Sequence, residues 1–435
     1  MTIFQKLALS LTLLRPGLQL HSVFLLLAVS LSFFAQDPLY AAERSQVFHA
    51  GRGVSLYYPF MDLIRAGKDD SPSPPYYGSW STMHDQQIPG ELKRAGFETV
   101  RVPVSPLPLL VVEDEQDRQS IYSQFAVAID DLLRAGLNVV FDLHVTDAGT
   151  PWDHKSITSD IDGPRFLAYV KIVSSIAQFL SRYDASRVAF EPFNEPPPPC
   201  VWWPRRPNWS YYQEKLFRAA RAAAPDLTII LTGACWGSLE GLQTLRPLDY
   251  DQNTIFTFHF YEPFVFTHQG AWFSSLYVRY LSRLPYPPSV DRTDEFSAMV
   301  RARATADNTL SPAARAQIFS EAQKYIKLYF NEPQNRDFIR RRAMIAAEWA
   351  KRNRISAQRI WVGEFGALGD VYSREAAAPE DRRRWLSDAR SVFEEFGFGW
   401  AVWNYCCAMG ITKGENNKLL DQDIIRALGL KPSSN

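Results

Sequence analysis

The chain has 435 residues, enough for one large domain or two small ones, and 46% of them are apolar, enough for a sizeable core. Lys plus Arg equals Asp plus Glu at 47 each, a balance that argues against a nucleic-acid surface. The 12 Trp suit either core packing or aromatic platforms in a binding cleft.

The N-terminus reads as a targeting segment. Lys6 and Arg15 precede an uncharged apolar run from Val23 to Ala35. That run is short for a membrane span and suits a signal peptide. Ala41 and Ala42 offer small residues for cleavage, although Tyr40 is bulky for the position three before the cut. Residues 1–42 are therefore expected to be a signal peptide or an uncleaved anchor, with no other integral membrane segment. Residues 43–435 would form the body of the protein, secreted or periplasmic.

Eight β-type runs follow, at 52–58, 98–104, 138–144, 188–195, 227–233, 254–261, 359–366 and 399–406, with helical stretches between them. Strands alternating with helices pair in parallel, and eight such units imply a closed (β/α)8 barrel of the TIM type. The segments RAGFETVRVPV and RAGLNVVFDLH repeat one helix-to-strand joint, each helix ending at a glycine, Gly96 or Gly136. Pro164 opens a third helix, where its missing N–H costs nothing. Phe166, Val170, Val173, Ala177 and Leu180 then recur at helical spacing. Ser210 and Gln213 have capping-box spacing before a fourth helix. The 99 residues between Tyr261 and Trp361 far exceed one helix. They predict an enlarged insertion between strands 6 and 7, a lid or side wall with an extra helix capped by Ser311 and Pro312. The triple arginines Arg340–Arg342 and Arg382–Arg384 read as solvated helix faces.

Four cysteines are few for a disulfide scaffold. Cys200 and Cys235 each follow a strand, and an oxidising compartment could join them if they share a rim. Cys406 and Cys407 are adjacent and should point to opposite faces of a strand, as ordinary packing. No spacing resembles a zinc site and no helical H-E-x-x-H pattern occurs, so no metal and no cofactor is expected.

Catalytic groups of such barrels sit at the C-terminal ends of strands. Glu195 closes VAFEPFNE and Glu364 lies near the end of IWVGEFG. Other strand ends carry Arg101, His144, Asn194, His259, Tyr261 and Trp403. Each has a plainer reading: a turn cap for Asn194, core histidines, a core Trp403, a structural ion pair for Arg101. Six strands sending such groups to one rim are hard to explain by packing alone. Glu191 shares the parity of Glu195 but lies roughly 13 Å deeper, at about 3.3 Å per residue, and reads as a buried, paired carboxylate. Glu262 should point the other way from Tyr261. Two glutamates across a cleft can break a glycosidic bond, one protonating the leaving oxygen and the other attacking the anomeric carbon or activating water.

Here the chain resembles glycoside hydrolase family 5, the cellulase-type (β/α)8 barrels. The matching pieces are RVPV, DLH, FNEP, HFY, GEFG and VWNY, in the family's order, over roughly residues 50–410. The stretch YEPFVFTHQGAW looks like the bacterial endoglucanase branch. The resemblance implies Glu195 as general acid/base and Glu364 as nucleophile, with Arg101, Asn194, His259 and Tyr261 in support. It implies His144 and Trp403 as sugar contacts, and carboxyl groups about 5–5.5 Å apart, as in retaining enzymes. Trp152, Trp202, Trp203, Trp236 and Trp272 fall on rim loops, and some of them are expected to be stacking platforms for neighbouring sugar units. The expected function is a retaining glycosidase that cleaves a β-linked polysaccharide or oligosaccharide, first among them an endo-β-1,4-glucanase. A mannanase, a xyloglucanase, another β-glucanase or a transglycosylase would share the catalytic pair. An inactive sugar-binding envelope protein would be expected to lack one of the two glutamates, and both are present.

Overall fold

The computed structural model describes residues 47–66, 71–78, 80–81, 87–146, 150–197, 208–274, 276–371, 374–413 and 419–432. The expected signal or anchor, residues 1–42, lies outside the described residues. Among those described, no helix is long and apolar enough to cross a membrane.

Eight parallel strands close into a barrel: β1 (Arg52–Ser55), β2 (Thr99–Val104), β3 (Asn138–Leu143), β4 (Val188–Glu191), β5 (Thr228–Thr232), β6 (Thr254–Phe260), β7 (Ile360–Phe365) and β8 (Gly399–Val402). Each strand pairs with its sequence neighbours, and β1 joins β8 to complete the ring. The expected (β/α)8 architecture is therefore present, with all eight strands near their expected positions.

The longer helices are α1 (Ile88–Ala95), α2 (Glu115–Arg134), α3 (Pro164–Leu180), α4 (Trp209–Ala223), α5 (Thr293–Ala306), α6 (Pro312–Asn331), α7 (Arg336–Arg352) and α8 (Pro379–Glu395). Gly96 and Gly136 take left-handed conformations, φ 99° and 85°, so α1 and α2 end as their sequences predict. Pro164 occupies the first turn of α3. The cap of α4 differs from expectation. Asn208, not Ser210, takes the capping position, and its side chain accepts from the Ser210 N–H. Between β5 and β6 the helix shrinks to single turns, including Leu239–Leu242. An antiparallel strand pair, Leu63–Ala66 with Ser71–Tyr77, has no counterpart in the strand pattern of the sequence.

Two apolar clusters divide the core. The larger lies between the sheet and the helices. The smaller joins Phe48, Ala50, Val140, Ala189, Ile230, Ile255, Trp361 and Ala401, which fill the lower barrel interior. Counting by twos from these plug residues identifies the side chains that face inward higher up: Asp142, Glu191, Thr232, Thr257, His259 and Gly363.

The insertion between β6 and β7 holds α5, α6 and α7. Ser311 caps α6 by accepting from Ala314 N, as its sequence predicts. The pair α5–α6 does not line the cleft. It backs the segment that does: Tyr277 stacks on Tyr325 of α6 at 5.5 Å, and Tyr329 donates to Pro285 O at 2.5 Å.

The arginine runs are less uniform than expected. Arg340 and Arg342 pair with Glu395, Glu262 and Glu240 on neighbouring elements. Arg382 is buried, donates to the carbonyls of Ala367 and Gly410, and is pushed down to about 10 by burial. It is a structural clamp, not a solvated residue.

Candidate active site

Arg101 stands at the centre of the upper barrel, fully buried. Its Nε donates to Glu191 at 2.8 Å and its Nη1 to Glu364 at 2.7 Å. Its Nη2 donates to Asn194 Oδ1 at 2.6 Å and lies 3.0 Å from Asp142. A buried guanidinium needs such partners, because an unpaired charge at this depth would cost several kcal/mol, on the order of its residual desolvation penalty. Burial works against its charge, but Asp142, Glu191 and Glu364 together hold its pKa well above the usual value. Glu191 also accepts from Thr232 at 2.9 Å, and so is the buried, paired carboxylate its depth predicted.

The sequence expectation placed Glu195 at the end of a strand. In fact β4 stops at Glu191, because Pro192 has no N–H to continue the ladder. Residues 192–197 then run over the rim, and the Asn194 N–H donates to Leu143 O at 3.1 Å. Glu195 thereby meets the imidazole of His259, whose Nδ1 lies 2.7 Å from Glu195 Oε1 and 3.5 Å from Glu364 Oε2.

Glu364 reaches the cleft through an irregularity. Trp361 faces inward, so strict alternation would aim Gly363 inward and Glu364 outward. The register of β6 against β7 shifts between Phe258–Val362 and His259–Glu364. The extra residue turns Glu364 into the barrel while Phe365 packs outward against Phe393 and Trp400. Gly363 fits because a Cβ there would lie 2.6 Å from Thr257 Oγ1 and 3.2 Å from His259 Nε2.

The two carboxyl groups stand close but in different company. One carboxylate oxygen each from Glu195 and Glu364 and one ring nitrogen of His259 all lie within 4.8 Å of one another. Tyr261 donates to Glu364 Oε2 at 2.8 Å, so Glu364 accepts from both a phenol and a guanidinium. Glu195 has neither, and 28% of its side chain is open to the cleft against 5% for Glu364. Burial pushes Glu195 up to about 7, against the pull of His144 and Arg101. Burial raises Glu364 as well, and His259 and Arg101 oppose the rise. These contacts favour the proton on Glu195 and the charge on Glu364. The same trio is the one group among the described residues with metal-ligand chemistry. Arg101 already balances its deepest carboxylate, which disfavours a second cation there.

Burial holds both histidines near 4, hence neutral at neutral pH. His144 Nδ1 lies 2.7 Å from Asp142, and its Nε2 lies 3.3 Å from Asn194 Nδ2. With Nδ1–H donating to the carboxylate, Nε2 is left to accept from Asn194. The Asn194 amide is thus oriented from both ends. Asp142 lies two residues before His144, which puts both on one strand face, but that spacing alone does not mark it as a site residue.

The cleft above these groups has a volume of about 780 Å³. Trp403, Trp236 and Trp272 line it, with Tyr57, Tyr58, Phe264 and Phe273. Trp403 stacks on His144 at 5.5 Å and meets Tyr57 edge-on. Tyr57 was not anticipated as a site residue. Trp152 is not among the lining residues; it packs partly buried against the core. Trp202, Trp203 and Cys200 lie outside the described residues. Cys235 is disulfide-bonded, and Cys406 and Cys407 are free. The last two do not sit on a strand as expected, because β8 ends at Val402. They lie in the following loop with their sulfurs 2.6 Å apart.

Comparison with known proteins follows the same lines. The profile of Cellulase (glycosyl hydrolase family 5) matches residues 66–408. Endoglucanase C of Acetivibrio thermocellus is 25% identical over 341 residues, 78% of this chain and 88% of that protein. A solved hyperthermophilic endo-β-1,4-glucanase in complex with substrate is similar with a TM-score of 0.59 at 23% identity, covering 87% of this chain and 97% of that one. The Clostridial cellulose synthase subunit Z from Clostridioides difficile is similar at 0.58 and 23% identity, covering 87% and 99%.

Proposed function

The chain belongs to glycosyl hydrolase family 5, and on that premise we propose that it is a retaining endo-β-1,4-glucanase with Glu195 as acid/base and Glu364 as nucleophile. The observation that carries the assignment is the unequal company of the two carboxyls: Glu364 accepts from Arg101 and Tyr261, while among the described residues Glu195 has its side-chain hydrogen bond with His259.

In the first step Glu364 attacks the anomeric carbon while Glu195 gives its proton to the leaving oxygen. The charge that kept Glu364 nucleophilic is now shared in an ester. Loss of that neighbouring negative charge lowers the proton affinity of Glu195, which can then take a proton from water. The water attacks the anomeric carbon and frees Glu364. Asn194, held by Arg101 and His144, is placed to bind the sugar 2-hydroxyl, a contact that strengthens as charge develops. Trp403 would carry the sugar at the cleavage point, and Trp236 and Trp272 would serve neighbouring units. The choice of β-1,4-glucan rests on relatives named as endoglucanases. Secretion, for which the N-terminal pattern speaks, would bring the enzyme to such a polymer.

Glu364→Ala should lower kcat on glucan on the order of 10⁴-fold or more, as loss of a covalent nucleophile does. Azide should restore part of the rate on an aryl glycoside by entering the vacated space. Full activity of that variant would remove Glu364 from the mechanism.

A further inference from the structure

Cys406 and Cys407 are adjacent, free and half-buried, and their sulfurs lie 2.6 Å apart. The two thiols are in hydrogen-bond contact, and their sulfurs need approach only a little further to reach the roughly 2.05 Å of a covalent S–S bond. The loop holding them is pinned. Tyr405 N donates to Ser55 O at 2.9 Å, Gly410 N to Cys407 O at 2.8 Å, and Ile411 N to Asn404 O at 3.1 Å. A side chain at residue 410 would meet the Cys406 backbone at 2.2 Å, so Gly410 lets the loop fold back tightly on the pair. Cys407 also lines the glucan cleft, and Tyr58, Cys407 and Ala408 border an adjoining hollow as well. Tyr58 meets Tyr57 edge-on at 5.3 Å, and Tyr57 meets Trp403 at 5.5 Å.

We propose that Cys406 and Cys407 form a reversible vicinal disulfide in the wall of the cleft, and that its closure favours sugar binding beside Trp403. Hydrogen bonds from Cys406 and Tyr58 pull the Cys407 thiol down to about 7 against burial, so a useful fraction is thiolate at neutral pH. The oxidant is a small disulfide such as oxidised glutathione. The Cys407 thiolate attacks one of its sulfurs, forms a mixed disulfide and expels one glutathione thiolate. Cys406 then loses its proton to solvent and attacks the Cys407 sulfur, expelling the second. The two thiols lose two protons and two electrons, and the oxidant becomes two thiols. Neighbouring Cα atoms are about 3.8 Å apart, closer than in ordinary disulfides, so the ring should be easily reduced. Closure removes the polar thiolate partner of Tyr58 and leaves an apolar S–S face on the cleft wall. That Cys235 is itself in a disulfide is in keeping with surroundings that supply such oxidants.

The binding consequence rests on the glycosidase reading, but formation of the bond does not, and the test separates them. The full chain is equilibrated with oxidised glutathione, alkylated and digested with trypsin. The peptide Ser391–Lys413 contains Cys406 and Cys407 and no other cysteine. It should resist alkylation, be lighter by two hydrogens, and regain two alkylatable thiols with dithiothreitol. Two alkylated thiols, or glutathione retained on either cysteine, would overturn the proposal whatever the enzyme does. In parallel, KM for a cello-oligosaccharide should fall about threefold on oxidation with a smaller change in kcat. The Cys406→Ser/Cys407→Ser variant should lose this response while keeping the Cys235 disulfide. An unchanged or higher KM on oxidation, or the same shift in the double variant, would overturn the role in binding.

Discussion

Arg101 lies within 3.0 Å of oxygen atoms on Asp142, Glu191, Asn194 and Glu364, and removing it would strand three buried acids together. Arg101→Met should cost about 3–5 kcal/mol of stability, because uncompensated buried charge is expensive; the denaturant midpoint measures this. A loss below about 1 kcal/mol would mean that the acids relax by taking protons. The pH profile reads the neighbouring pair. Glu195 must hold a proton to act as acid, and burial places its pKa at about 7. The rate should therefore fall as pH rises through about 7. It should also fall in acid as Glu364 takes up a proton, at a pH above that of an exposed glutamate because burial raises Glu364 too. Glu195→Gln should abolish the alkaline limb for an aryl glycoside whose leaving group needs no proton. An unchanged limb in that variant would assign the titration elsewhere.

At the scale of elements, the β7 irregularity decides more than strand propensity does. Its extra residue turns Glu364 inward, and Gly363 makes room for Thr257 and His259. Gly363→Ala should push His259 away from Glu195 and lower kcat about 10²-fold, the scale of a small misplacement at a reacting centre. Circular dichroism should remain native, since the clash is confined to one strand pair. A fully active variant would show that His259 can shift without consequence. Helix ends were the easiest elements to read, because Gly96, Gly136, Pro164 and Ser311 act through local backbone chemistry. The α4 cap was misread because Ser210 and Gln213 have the right spacing, yet Asn208 takes the capping position. Which of the rim tryptophans would face the cleft was not legible, because a loop position does not tell which way a side chain points; Trp152 packs against the core instead.

Across the whole molecule, aromatic groups from separate connections gather on one rim: Tyr57 after β1, Trp236 after β5, Trp272 after β6 and Trp403 after β8. Contacts spread along a polymer favour cuts within the chain. The viscosity of a soluble cellulose derivative should therefore drop early, before much reducing sugar appears; release of only short end products would remove the endo reading.

What the sequence determined by itself was local or periodic: the strand–helix alternation, most of the helix ends and the ordered motifs that carry Glu195 and Glu364. Side-chain chemistry and short-range backbone preferences are written residue by residue. What only the tertiary structure decided depends on partners remote in the chain. Arg101 and Glu364 are 263 residues apart, and their 2.7 Å contact exists only once the ring closes. The inward turn of Glu364, the burial of Arg382 and the meeting of two thiols in a pinned loop arise likewise from register and packing, which no single segment encodes.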